Sequence, residues 1–244
     1  SDVCSSDLGK QVVVAEPAYE AVLQYAVNSR AEPVKTPLTS DWRHDLARMG
    51  AAIGSKTGLV YICNPNNPTG TIVYKDEMAT FMSRVPSTAI VLVDEAYAEF
   101  TTDPRFESAV RYVNEGRNVV VAKTFSKIHG MAGMRLGYAI AKPELIRKIA
   151  PFTVDFAATG ASADAAIASM KDTAHRAMVA RSNAAERSRF TAEMQKRGIT
   201  CAESHANFVL ANVRKPVASV ISALASRNVL VGREFGAKIG RAHV

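Results

Sequence analysis

Cysteine is scarce in this 244-residue chain, with three residues at positions 4, 63 and 201. So few, at no patterned spacing, exclude a disulfide framework and fit a reducing compartment. Aromatic residues make up 7%, including a single tryptophan. No apolar run approaches the roughly 20 residues that a membrane-spanning helix needs, so no membrane partner is expected. Basic residues outnumber acidic ones by 30 to 23, for a net charge of +7. The excess is dispersed, however, without a block of like charges or interleaved aromatics. Nucleic acid is therefore not an expected partner. Glycine (14) and proline (10) follow no period, and no internal repeat or low-complexity stretch occurs. With 48% hydrophobic residues, the remaining class is an ordinary globular protein.

The two ends of the chain are reverse complements at the DNA level. Residues 239–244 can be encoded ATC GGA AGA GCA CAC GTC, whose complementary strand translates as residues 2–7. Such a relation is not expected of two unrelated protein termini, and the DNA resembles a sequencing adapter. Residues 1–8 and 238–244 are accordingly expected to be non-native, leaving 9–237 as the biological part. Cys4 belongs to the first of these ends.

Within 9–237, short β-branched runs alternate with longer amphipathic stretches. Strands are expected over 12–15, 59–63, 89–94, 118–122 and 136–141, with helices over 18–28, 42–53 and 75–84. Continuous apolar strands between helices predict an α/β fold with a mainly parallel sheet covered on both faces. The Ala-rich stretch 162–189 reads as one long helix leaving that domain. A strand over 207–213, a helix over 216–227 and a strand over 229–232 predict the start of a partial α+β C-terminal domain.

Ligands of open parallel sheets sit beyond the carboxyl ends of the strands. Three such ends carry unusual polar groups. One is followed by Asn-Pro-Asn-Asn-Pro-Thr-Gly (64–70), another runs into Asp94-Glu95-Ala96-Tyr97, and a third into Lys123-Thr124-Phe125-Ser126-Lys127. An amine with a lowered pKa adds to aldehydes as a Schiff base. A carboxylate holds an aromatic nitrogen protonated, and an arginine with hydroxyls cradles a phosphate. Together these requirements describe pyridoxal 5'-phosphate. Taken singly, each residue has an ordinary role: Asp94 as a helix cap, residues 67–70 as a turn, Arg135 in a surface ion pair, Tyr19 in the core.

The segments 64–70, 93–97 (Val-Asp-Glu-Ala-Tyr) and 124–138 (Thr-Phe-Ser-Lys-Ile-His-Gly-Met-Ala-Gly-Met-Arg-Leu-Gly-Tyr) stand in the order and spacing of a known family. Residues 9–237 resemble fold-type I aminotransferases of class I and II, especially the histidinol-phosphate aminotransferase-like branch. The resemblance implies that Lys127 is the Schiff-base lysine and that Asp94 partners the pyridine nitrogen. It implies further that Tyr97 and Asn67 donate to the ring's phenolate oxygen. Arg135, with Thr124 and Ser126, would hold the phosphate; Tyr19 would stack on the ring, and Asn207 would lie near the substrate carboxylate. His129, Lys123, Glu95 and Cys63 are expected to serve structure, while Arg233 is a weaker candidate to face a substrate anion.

On this resemblance, residues 9–150 form the cofactor-binding large domain, 151–195 an interdomain helix and 196–237 part of the small domain. The complete protein would be a cytoplasmic homodimer acting on a small-molecule amino donor and a keto acceptor. Two alternatives remain: a lyase of the same fold using the same cofactor, and a non-catalytic fragment. Relatives carry a phosphate-binding turn upstream and a carboxylate-clamping arginine downstream, and this chain has neither match.

Overall fold

Valine and isoleucine dominate the segments that pair into the main sheet, because their branched side chains suit a pleated, buried surface. The computed structural model describes residues 10–153, 158–232 and 242–243. Its main sheet contains β1 (Gln11–Glu16), β2 (Glu32–Pro37), β3 (Thr57–Cys63), β4 (Ile90–Asp94), β5 (Val119–Thr124) and β6 (Gly137–Ala141). They lie in the order β2-β1-β3-β4-β5-β6, parallel except for β6, which runs antiparallel to β5. After β1 the chain moves outward to β2, then crosses back to place β3 on the other side of β1. That reversal of strand order opens a crevice at the carboxyl ends.

Alternation along the strands assigns each side chain a face. Val13, Ala15, Val60, Ile62, Val91, Val93, Val119 and Val121 enter one core. That core is covered by α2 (Leu46–Ala51), α3 (Lys75–Arg84) and α4 (Val110–Asn114), through Met49, Phe81 and Tyr112 among others. Each fully buried aliphatic side chain contributes roughly 1.5–3 kcal/mol. On the opposite face, Val14, Tyr61 and Cys63 pack with Ala18 and with Val22 and Leu23 of α1 (Ala21–Asn28). Further along this face an apolar groove of about 750 Å³ is lined by Val12, Leu59, Ile90, Val120, Leu145 and Phe152.

Several expectations shift by a few residues for visible reasons. α1 starts at Ala21, so Pro17-Ala18-Tyr19 stays in the turn after β1. α2 starts only at Leu46, because Trp42 sits in a left-handed turn (φ 66°) and Asp45 caps the helix, accepting from Arg48 N at 3.0 Å. The expected single helix over 162–189 is two: α6 (Gly160–Lys171) and α7 (Thr173–Lys196), which follow α5 (Pro143–Ile149). Asp172 divides them, and its carboxylate caps α7 by accepting from His175 N at 2.9 Å.

The C-terminal part holds β7 (Thr200–Cys201), β8 (Leu210–Asn212), α8 (Val217–Ala225) and β9 (Ala242–His243). Residues 229–232, expected as a strand, form none; the third strand against β8 is β9. Arg233 lies outside the described residues, as do nearly all of 1–8 and 238–244. No helix among the described residues is long and apolar enough to cross a membrane.

Candidate active site

Register brings the chemistry together. β3 and β4 pair so that Cys63 is level with Asp94, and β4 and β5 so that Asp94 is level with Ala122. Three loops therefore leave the sheet side by side. The first, 64–70, closes on itself through Gly70 N donating to Asn66 O at 2.6 Å and Asn66 N donating to Thr71 O at 2.8 Å. Asn64 Oδ1 accepts from Val73 N, and Asn66 Nδ2 donates to Pro17 O (3.2 Å) and to Thr69 Oγ1 (3.0 Å). Thr71 Oγ1 in turn donates to Trp42 O at 2.8 Å. One buried polar network thus ties the ends of β1, β2 and β3. His44 lies beside it: Nε2 bonds Cys63 O at 3.0 Å, and the ring neighbours the Asn66 side chain. Burial pulls the His44 pKa down to about 4, so the ring is neutral near pH 7.

Gly70 has φ of +74°, and a Cβ there would come within 3.0 Å of Ser204 Cα. His205 N donates to Gly70 O at 2.7 Å. The glycine lets the 204–208 segment lie directly on this loop. Phe208 from that segment meets the Tyr97 ring edge-on at 5.0 Å, in a cluster with Phe100, Ile128 and Ala206.

Asp94 ends β4 half-buried. Its Oδ1 accepts from Ala96 N (3.0 Å) and its Oδ2 from the Tyr61 hydroxyl (2.9 Å). Burial raises the Asp94 carboxyl above the usual range, while those two donors and the Lys127 charge pull it back toward the carboxylate. Lys127 Nζ lies 5.1 Å from the centre of the Tyr97 ring. The Asn67 side chain faces the Tyr97 hydroxyl, and burial pushes that phenol above its normal range. Tyr19, half exposed in the turn after β1, lies close enough to act on the same phenol. Thus Lys127, Asp94, Tyr97, Asn67 and Tyr19 lie together beyond the carboxyl ends of the strands.

The remaining expected residues stand differently. Thr124 Oγ1 is engaged within its own turn, accepting from Ser126 N at 3.0 Å and donating to Leu136 O at 3.4 Å. Ser126 is half-buried beside it. Arg135, in a left-handed conformation (φ 50°), is exposed and donates to Ala132 O at 2.8 Å. Asn207 is exposed between buried Ala206 and Phe208. His129 bonds Ser169 Oγ through Nδ1 at 2.7 Å and tilts against Phe125, while Ser162 Oγ donates to Met134 O. Both contacts brace the 124–135 loop against α6. Cys63 is buried, its thiol pKa pushed up.

Two residues of the site escape a reading of the sequence. Tyr61 reaches Asp94 across the sheet, and His44 supports the 64–70 loop from below. A lone tyrosine in an aliphatic strand was the available signal, since a buried hydroxyl requires a partner.

The mostly parallel sheet, with an amine, a carboxylate and a phenol gathered beyond its carboxyl edge, makes this end the candidate ligand site. The aminotransferase class I and II sequence profile matches residues 2–242, and the chain belongs to that family. It is 37% identical over 235 residues to the histidinol-phosphate aminotransferase of Moorella thermoacetica, covering 93% of this chain and 60% of that protein. To the aromatic amino acid aminotransferase of Mycolicibacterium smegmatis it is 38% identical over 234 residues, covering 95% and 64%. The chain thus spans about three fifths of the length of these curated relatives. The structure superimposes on histidinol-phosphate aminotransferase from Sinorhizobium meliloti, solved in complex with pyridoxal-5'-phosphate. There the TM-score is 0.88 at 26% identity, covering 96% of this chain and 65% of that one.

Proposed function

We propose that the complete protein is a pyridoxal-phosphate-dependent aminotransferase of the histidinol-phosphate or aromatic type. It would move an amino group between an amino acid and a keto acid or phosphorylated ketone. The observation that carries this reading is the convergence of Lys127, Asp94, Tyr97 and Asn67 where β3, β4 and β5 end. The donor set fits the cofactor's chemistry. Asp94 has a half-buried carboxylate with one donor on each oxygen, leaving lone pairs for a protonated ring nitrogen. Tyr97 and Asn67 present a hydroxyl and an amide for a phenolate oxygen, and Thr124, Ser126 and Arg135 are the candidates for the phosphate.

When bound, the cofactor supplies an electron sink for charge developing at the substrate Cα. The protein's own part is positional and protonic. Among the described residues Lys127 has no ion-pair partner, so its amine is available to bond an aldehyde and then to move the proton at Cα. Phe208 packs edge-on against the Tyr97 ring and holds it beside Lys127. Asn207, exposed beside Phe208, is the candidate to meet a substrate carboxylate. A homodimeric, cytoplasmic enzyme is part of the same proposal, supported by the family resemblance.

The test is chemical trapping. The protein is mixed with pyridoxal phosphate, reduced with borohydride, digested and mapped by mass spectrometry. Labelling concentrated on Lys127 is expected; labelling spread across the surface lysines would overturn the assignment.

A further inference from the structure

Asp94 does not hold its position unaided. Among the described residues, two donors fix its carboxylate: the Ala96 backbone on Oδ1 and the Tyr61 hydroxyl on Oδ2 at 2.9 Å. Tyr61 is 3% exposed, and its ring is wedged among Val14, Ala18, Cys63 and Leu92 on the site-facing side of the sheet. Because the ring cannot swing, the hydroxyl is a fixed donor. Burial and the neighbouring Asp94 and Cys63 keep the Tyr61 phenol far above its usual pKa, so it never competes as an anion. The two donors approach different oxygens, which holds the carboxyl group against rotation and leaves a lone pair on each oxygen for a further donor.

From this geometry we infer that Tyr61 is a positioning residue for Asp94, presenting its carboxylate, charged and correctly turned, to a protonated ring nitrogen. The inference rests on the proposed cofactor reading and adds a residue to it. A charge-assisted hydrogen bond of this kind corresponds to about 10-fold or more in affinity. The other ionisable groups that face Asp94 are Lys127, Cys63 and Tyr97. Of these only Lys127 opposes protonation of the carboxyl, so loss of the Tyr61 donor is not made good elsewhere.

The experiment compares Tyr61→Phe, which removes the hydroxyl and keeps the ring, with Asp94→Asn. Dissociation constants are measured for pyridoxal phosphate and for its analogue with C–H in place of the ring nitrogen. Tyr61→Phe is expected to weaken pyridoxal phosphate about 10-fold and to leave the analogue unchanged, because only the former needs the carboxylate. Equal weakening of both ligands, or of neither while Asp94→Asn is impaired, would overturn the role of Tyr61 and leave the cofactor reading standing. Wild-type affinity in Asp94→Asn would instead remove the reading itself. A cofactor-free measurement stands beside these: the Asp94 carboxyl, followed by carbon NMR, should titrate about one pH unit higher in Tyr61→Phe. An unchanged midpoint would also overturn the inference.

Discussion

Asp94 and Glu95 are consecutive carboxylates at the end of one strand, and they face opposite sides of the sheet. Glu95 is completely buried and fully engaged. Its oxygens accept from Ala109 N (2.6 Å), Ser108 Oγ (2.7 Å) and Lys123 Nζ (3.0 Å). Asp94 accepts one donor per oxygen and faces a crevice. The two lysines divide in the same way. Lys123 is clamped between Glu95 and Glu99, whereas Lys127 lies over an aromatic ring without an ion-pair partner among the described residues. Glu95 and Lys123 are spent on each other and on their neighbours, whereas Asp94 and Lys127 keep bonding capacity for the chemistry proposed for them.

The contrast can be broken from either side. In the protein extended to its relatives' length, Lys127→Ala should lower turnover by about 10⁴-fold or more, a loss on the scale of positioned proton transfer and its nucleophile together. The same variant should melt within a degree or two of wild type; a large drop in midpoint would show that Lys127, like Lys123, serves the fold. Lys123→Met should behave oppositely. It strands the Glu95 charge in the core and should cost about 3–5 kcal/mol of stability, read by urea unfolding.

His44 supplies the next largest effect, through pH. Its folded pKa of about 4 lies below the unfolded value of 6.5. Between these values the unfolded chain binds more protons, so the contribution is complete above pH 6.5 and lost as pH falls toward 4. The loss is roughly 3 kcal/mol, and His44→Leu should flatten that part of the stability profile. Smallest is Gly70→Ala, which forces a methyl group against Ser204 at a positive φ. It should cost about 1–3 kcal/mol and loosen the 204–208 segment, which hydrogen exchange at His205 N would register.

Legibility in the sequence followed locality. The helix expected over 75–84 matches α3 residue for residue, because Glu77 Oε2 accepts from Tyr74 N at 3.3 Å at its start and Met78, Phe81 and Met82 make one buried stripe. Strand β2 was not legible: Pro33 and Pro37 argue against a strand, and only its place at the sheet edge, where missing donors are tolerated, permits it. The break at Asp172 was hidden inside a uniformly Ala-rich run. Around the site, residues 67, 94, 97 and 127 were legible as motifs, while the hydrogen bond from Tyr61 to Asp94 was not.

By itself, the sequence determined the alternation of strands and helices and the loops in which the candidate site residues stand, because these depend on periodicity and turn chemistry within a few residues. The tertiary structure decided which groups meet. Strand register set Tyr61 against Asp94, and the return of the chain at 204–208 closed the loop at Gly70. A side chain's partner across a sheet depends on pairing between segments far apart in the chain, and no local pattern encodes that distance.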